Sequence, residues 1–177
     1  MKHSYVSVNR LVPTQRTLLY EEFSNLAEGF DPSLFKPIPV LEHNGKFFLG
    51  GGHHRAGLIY LCQRHYRTGR LMAPVTVAET DQDIQLIFEE DRSQNTRFGF
   101  TNKYDSARQY RERERIPTDI EDMKLLFIES TSIVGVYLNS INSRSGNLIF
   151  KNAHGIEGSI SRLPNLDAIL SVCRRAA

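Results

Sequence analysis

The stretch Phe47-Phe48-Leu49-Gly50-Gly51-Gly52-His53-His54-Arg55-Ala56-Gly57-Leu58-Ile59-Tyr60 decides how the chain folds. An apolar run stops at three glycines, passes through His53, His54 and Arg55, and resumes as an apolar segment. That pattern is a strand, a tight turn and a helix whose first turn carries the polar residues. Glycines ahead of a helix let a ligand approach the backbone, and the helix start offers N–H donors and partial positive charge to an anion. Arg55 adds a permanent cation with a planar fork of donors, and the two histidines can donate, accept or bind metal. One reading is a phosphate-binding turn built from Gly51, Gly52, His53, His54 and Arg55. The other is a buried structural turn in which Arg55 only caps or pairs locally. Spacing leaves both open.

Working outward, Asn44-Gly45 is the strongest two-residue turn signal in the chain, so Lys36 to Leu41 and Phe47 to Leu49 are expected as a hairpin that delivers the glycine turn. Tyr5, Val6, Val8 and Leu11 give an earlier short strand, Thr17 caps a helix from about Leu18 to Glu28, and Gly29 ends it. The helix after Arg55 runs to about Arg67. Pro74 to Ala78 is a further strand. Asp81 or Asp83 then caps a helix from Ile84 to about Glu90, followed by a polar and aromatic loop over Asp91 to Thr101. Asp105 to Arg115 reads as a charged helix ended by Ile116-Pro117. Beyond Pro117 come apolar runs at Met123 to Ile128 and Ile133 to Leu138, weak strands near Leu148 to Phe150 and Ile156 to Ile160, and a terminal helix from Leu166 to Arg174.

Composition bounds the function classes. At 177 residues and 40% hydrophobic content the chain can bury a proper core. A net charge of +2 permits contact with nucleic acid without arguing for it. Cys62 and Cys173 suggest neither a disulfide framework nor a zinc site. No apolar run approaches the roughly 18 residues needed to span a bilayer, and Met1 to Arg10 is polar rather than signal-like, so a cytoplasmic protein without membrane insertion is expected.

Several ordered segments then carry a resemblance. Leu11-Val12-Pro13-Thr14-Gln15, a helix bearing Glu21 and Glu22, Pro37-Ile38-Pro39-Val40, and Gly52-His53-His54-Arg55 together resemble the core of the ParB/sulfiredoxin-like superfamily. Asn95-Thr96-Arg97-Phe98-Gly99, with Asn102 and Asp105, is similar to the segment that follows the core in ParB-like nuclease domains. The resemblance implies a mixed α/β (α+β) fold, a compact core of a small mixed sheet with flanking helices. Residues 1–116 would form it, and 117–177 would be a C-terminal extension packed on the core.

The superfamily includes partition proteins that hydrolyse CTP, sulfiredoxins, free-serine kinases, nucleases and plasmid proteins that inhibit conjugative transfer. Fold alone does not choose among them. In sulfiredoxins the reactive cysteine would stand where this chain has His53, which argues against that branch. A partition protein would need a DNA-reading helix-turn-helix, and no clear recognition helix or basic cluster follows Pro117.

What remains is a phosphate-handling enzyme, a nucleoside triphosphatase with DNase activity as a further expectation, using ATP or CTP and Mg2+. The turn would bind phosphate, with Gln15, Asn95 and Arg97 as further contacts. Glu22 or Glu21 would be the base, with His53 and His54 as other candidate acid–base groups, and Glu90 with Asn95 would hold the metal. Bland readings stand beside these. One of the adjacent Glu21 and Glu22 must face solvent, and Glu89-Glu90-Asp91 would be a solvated helix end, although three acids there oppose the helix dipole. The alternating charges of 105–115 suit a solvated surface, or a phosphate-backbone contact with Phe98, Phe100, Tyr104 and Tyr110 as stacking surfaces. Nucleotide, DNA and a protein of a conjugation apparatus are the expected partners. The alternatives are a non-catalytic module in which nucleotide gates partner binding, or a free-serine kinase, which would require a small polar pocket for the amino acid beside the turn.

Overall fold

The computed structural model describes residues 1–12, 20–66, 68–98, 148–152, 155–160 and 163–176. Gln15, the charged segment 105–115, the apolar runs at 123–128 and 133–138, and Pro117 lie outside the described residues.

β1 (Lys2–Ser7) runs through a 3-10 turn at Val8–Arg10 into the two-residue β2 (Leu11–Val12). α1 (Tyr20–Glu28) buries Phe23 and Ala27, while Glu21, Asn25 and Glu28 face solvent, the helical period expected of a one-sided helix. β3 (Ile38–His43) and β4 (Lys46–Leu49) form the hairpin expected at Asn44-Gly45. Both turn residues have positive φ, 51° and 74°, as a two-residue turn matched to strand twist requires. Arg10 pins this turn from outside: its Nε donates to the Gly45 carbonyl at 2.6 Å, and its guanidinium lies 4.9 Å from the Phe47 ring centroid.

α2 (His53–His65) and β5 (Leu71–Val77) follow, then α3 (Asp81–Phe98). α3 is a correction to the sequence reading. It spans 18 residues and carries straight through the segment expected as a loop from Asp91. Its start is also set differently, by a reciprocal cap: Thr80 Oγ1 accepts from the Asp83 N–H at 3.1 Å, and Asp83 Oδ2 accepts from the N–H groups of Glu79 and Thr80.

The sheet order is β1-β5-β3-β4-β2, with β1 antiparallel and β3 parallel to β5. The fold is therefore mixed α and β around one mixed sheet. β6 (Leu148–Asn152) and β7 (Gly155–Ile160) pair as a separate antiparallel ribbon where two weak strands were expected. The expected terminal helix is shorter than its pattern suggested. α4 (Leu166–Ser171) stops early, and β8 (Arg174–Arg175) pairs with Leu71 and Met72 of β5.

The alternation of strand side chains sends Val40, Leu49, Ala73 and Val75 to one face, where α1, α2 and α4 cover them. On the other face Leu41 and Phe48 meet Ile84 and Ile87 of α3. α2 is the central helix, with Ala56, Leu58, Ile59, Leu61 and Cys62 all buried. A helix apolar on so many sides cannot sit at a surface. No helix among the described residues is long and apolar enough to cross a membrane.

Candidate functional site

The glycine turn sits between β4 and α2, anchored at both ends. The Gly50 N–H donates to the Pro39 carbonyl at 2.8 Å, which ties the end of β4 to β3. Gly52 is the N-cap of α2, at φ 66° and ψ 29°, and its carbonyl accepts the first helical bond from Ala56 at 2.9 Å. L-residues with a Cβ rarely adopt that left-handed conformation, so glycine is what lets the chain turn here. Gly50 is small for another reason: a Cβ on it would lie 2.3 Å from Ile87 Cγ2. α3 therefore packs directly against the turn.

Arg55 folds back over Gly52. A Cβ on Gly52 would stand 2.7 Å from Arg55 Nη2 and 3.0 Å from Cζ, so the absent side chain is what makes room for the guanidinium. Nη1 donates to the Lys36 carbonyl and, at 3.2 Å, to the Pro37 carbonyl. The Phe35 ring centroid is 6.0 Å from Cζ. Burial lowers the Arg55 pKa from its ordinary value, and the negative charge of Glu90 opposes that shift. The group stays charged near neutrality because arginine starts so high.

Of the two histidines, His53 is buried at 3% exposure. His54 is half-buried, and burial first, with the Arg55 charge second, pushes it down to about 4. The imidazole is thus neutral at physiological pH, able to donate at one nitrogen and accept at the other.

The structure brings Gly51, Gly52, His54 and Arg55 together on one turn and sets Glu90 of α3 within electrostatic reach of Arg55. Glu21 is exposed in the first turn of α1, and Glu22 is half-buried beside it. Glu89 and Glu90 are exposed, and Gln85 Nε2 donates to Glu89 Oε1 at 3.2 Å. Because α3 continues to Phe98, these acids stand inside a helix, and the argument that they burden its C-terminal end does not apply. Positions 90 and 95 are turned about 140° apart around the helix axis, unlike the convergent loop that Glu90 and Asn95 needed. The side chains of Asn95 and Arg97 lie outside the described residues, as does Gln15. Among the described residues no three His, Cys, Asp or Glu side chains gather as a metal cluster.

Sequence reasoning missed what holds Arg55. Its carbonyl partners belong to the extended segment ahead of β3, and only the Lys36-Pro37 step, which forces extended backbone before the proline, hinted at carbonyls turned outward there. The sequence reading has Asp81 or Asp83 as the cap of α3 and overlooks Thr80, although the Thr80-x-x-Asp83 spacing is the signal for the reciprocal cap. Comparison with family models, with curated proteins and with solved structures gives no match to this chain.

Proposed function

We propose that this chain is a ParB/sulfiredoxin-like nucleotide-binding protein that takes the phosphates of ATP or CTP at the Gly50–Arg55 turn and hydrolyses the nucleotide. One observation carries the reading: the Arg55 guanidinium is held over a left-handed Gly52 at the N-terminus of the 13-residue α2. A helix start and a fixed planar cation on the same turn favour phosphate through both the dipole and charge-assisted hydrogen bonds. Mg2+ suits this donor set, since it takes one or two carboxylates and fills its remaining positions with phosphate oxygens and water. Glu90 would be its carboxylate. Glu22, half-buried where Glu21 is exposed, is the better placed of the two to face a bound ligand as the base. Cleavage of DNA and a role in blocking conjugative transfer extend this reading through the resemblance alone, and a cytoplasmic location extends it through the composition of the chain.

The hydrogen bonds from Arg55 to Lys36 and Pro37 favour a second reading, in which the site binds nucleotide as a switch for a protein partner and performs no chemistry. A cation already spent on two carbonyls organises the turn before any ligand arrives. Calorimetric titration with ATP and CTP, with and without Mg2+, tests binding. Phosphate release with and without DNA, and phosphate transfer to free serine, tests chemistry. Binding with turnover supports the enzyme, binding without turnover under any metal leaves the switch, and no binding to any nucleotide overturns both.

A further inference from the structure

We infer that the sheet face beside β8 is a docking surface for a single strand of nucleic acid, with Arg174 as the plane on which a base stacks and Arg175 as a phosphate contact. Strand register assembles this surface. Tyr5 pairs with Pro74 across β1 and β5, and Arg174 pairs with Met72 across β8 and β5, so Tyr5, Pro74, Met72 and Arg174 share one face of the sheet. α3 covers that face at Leu41 and Phe48. Toward β1 and β8 the sheet carries instead a cavity of about 840 Å³, whose lining includes those four residues together with His3 and Arg175. No residue of the Gly50–Arg55 turn lines it, so the inference is independent of the phosphate reading of that turn.

The chemistry of the lining chooses the occupant. A space of this size falls within the roughly 300–1,000 Å³ of clefts that take organic ligands, and is far larger than a lone anion needs. Arg174 Cζ lies 3.9 Å from the Tyr5 ring centroid, so the guanidinium rests against the ring, yet Arg174 remains exposed. Tyr5 thus holds the cation in place before any partner arrives. Bases stack on aromatic rings and on arginine planes alike, and a plane already positioned loses less freedom on binding. Arg175, exposed beside it, adds charge for a phosphate. Among the described residues no carboxylate lines the cavity or pairs with either arginine. Positive charge alone would suit an acidic peptide equally well. The stacked guanidinium and the apolar Pro74 and Met72 beside it favour a partner in which flat rings alternate with phosphates, and acidic side chains offer no such rings.

The test is fluorescence anisotropy of the full chain with two labelled strands about ten nucleotides long, one oligothymidylate and one abasic, over a salt series from about 50 to 200 mM. The expected result is that wild type binds the thymidylate about tenfold more tightly than the abasic strand, since stacking adds to charge only where bases are present. Arg174→Lys keeps the charge without the plane. It should lose most of that preference while holding the abasic strand within about twofold of wild type. Replacing both Arg174 and Arg175 by Gln should make the slope of log affinity against log salt shallower by about 1.4, two phosphate contacts' worth on a single strand. Lys46→Gln, an exposed lysine at the start of β4 that does not line the cavity, should leave affinity and slope unchanged. Circular dichroism melts establish that each variant is folded. Wild type that binds neither strand overturns the inference, as does equal binding of the two strands or an equal loss in Lys46→Gln. Displacement of the strand by polyglutamate as readily as by unlabelled oligothymidylate overturns it too, in favour of an acidic protein partner.

Discussion

Gly50 and Ile87 approach so closely that a methyl group on Gly50 would lie 2.3 Å from Ile87 Cγ2. The contact fastens α3 to the glycine turn and is the reason Glu90, one helical turn beyond Ile87, comes near Arg55. Gly50→Ala should therefore cost about 1–3 kcal/mol through overpacking. Combining it with Ile87→Ala should recover part of that loss, since the second change removes the atom that clashes. Urea denaturation of the four proteins in the cycle gives the coupling, and strictly additive losses would mean the two residues do not meet.

Arg55→Ala should reduce both affinity and stability. Losing charge-assisted hydrogen bonds to the Lys36 and Pro37 carbonyls costs on the order of 1.5–3 kcal/mol, and the segment ahead of β3 loses its tether to α2. Arg55→Lys keeps the charge without the planar fork and should recover only part of the stability. A variant as stable as wild type would show the tether to be dispensable.

Stability should fall as the solution is acidified from neutral, through His54. Its pKa is about 4 in the folded chain against an ordinary value of 6.5, so between those two values the unfolded chain binds the proton and the folded chain does not. The contribution is complete above pH 6.5, declines as pH drops toward 4, and amounts to on the order of 2–3 kcal/mol across the window. His54→Gln should flatten that part of the profile. If wild type and His54→Gln show parallel denaturation midpoints from pH 7.5 to 4.5, the imidazole is not held neutral by its surroundings.

Asn165 joins distant parts of the chain. Its Nδ2 donates to the carbonyls of Ala27 and Glu28, closing the C-terminal end of α1, while its own backbone sits at φ 59°. Asn165→Ala loses the bonds and also pays for the left-handed backbone; Asn165→Gly loses only the bonds. The alanine variant should be less stable than the glycine variant by about 1 kcal/mol in thermal or urea melts. Equal stability of the two would remove the backbone contribution.

The parts of this fold legible in the sequence are those set within a few residues. Asn44-Gly45 specified the hairpin because positive φ at both positions suits almost no other pair. The run from Phe47 to Tyr60 specified strand, turn and helix because its apolar stretches are interrupted by three consecutive glycines. The second half of α3 was illegible: Asp91 to Phe98 has no apolar stripe, and its turn-forming residues argue for a loop. β8 was illegible for a different reason. Arg174 and Arg175 are strand only because Leu71 and Met72 are beside them, and no local pattern states that. For the site, the glycines and Arg55 stood out, but the use of Lys36 and Pro37 as carbonyl acceptors depends on backbone orientation, which residue identities do not encode.

The bonds from Asn165 to α1 also carry a consequence for the order of events in synthesis. The one to Ala27 closes a loop of 138 residues, and Ile169 of α4, fully buried, fills the same core as Phe23 and Leu58. A growing chain that has emerged only as far as α3 therefore holds the glycine turn, but the α1 side of its core lacks α4 and β5 lacks β8. Contacts so distant in sequence form slowly, because the closing entropy must be met before any of them helps. Until the last helix arrives, the nascent protein carries an exposed apolar surface beside α1 and α2, and that interval is when it is most open to capture by chaperones or to aggregation.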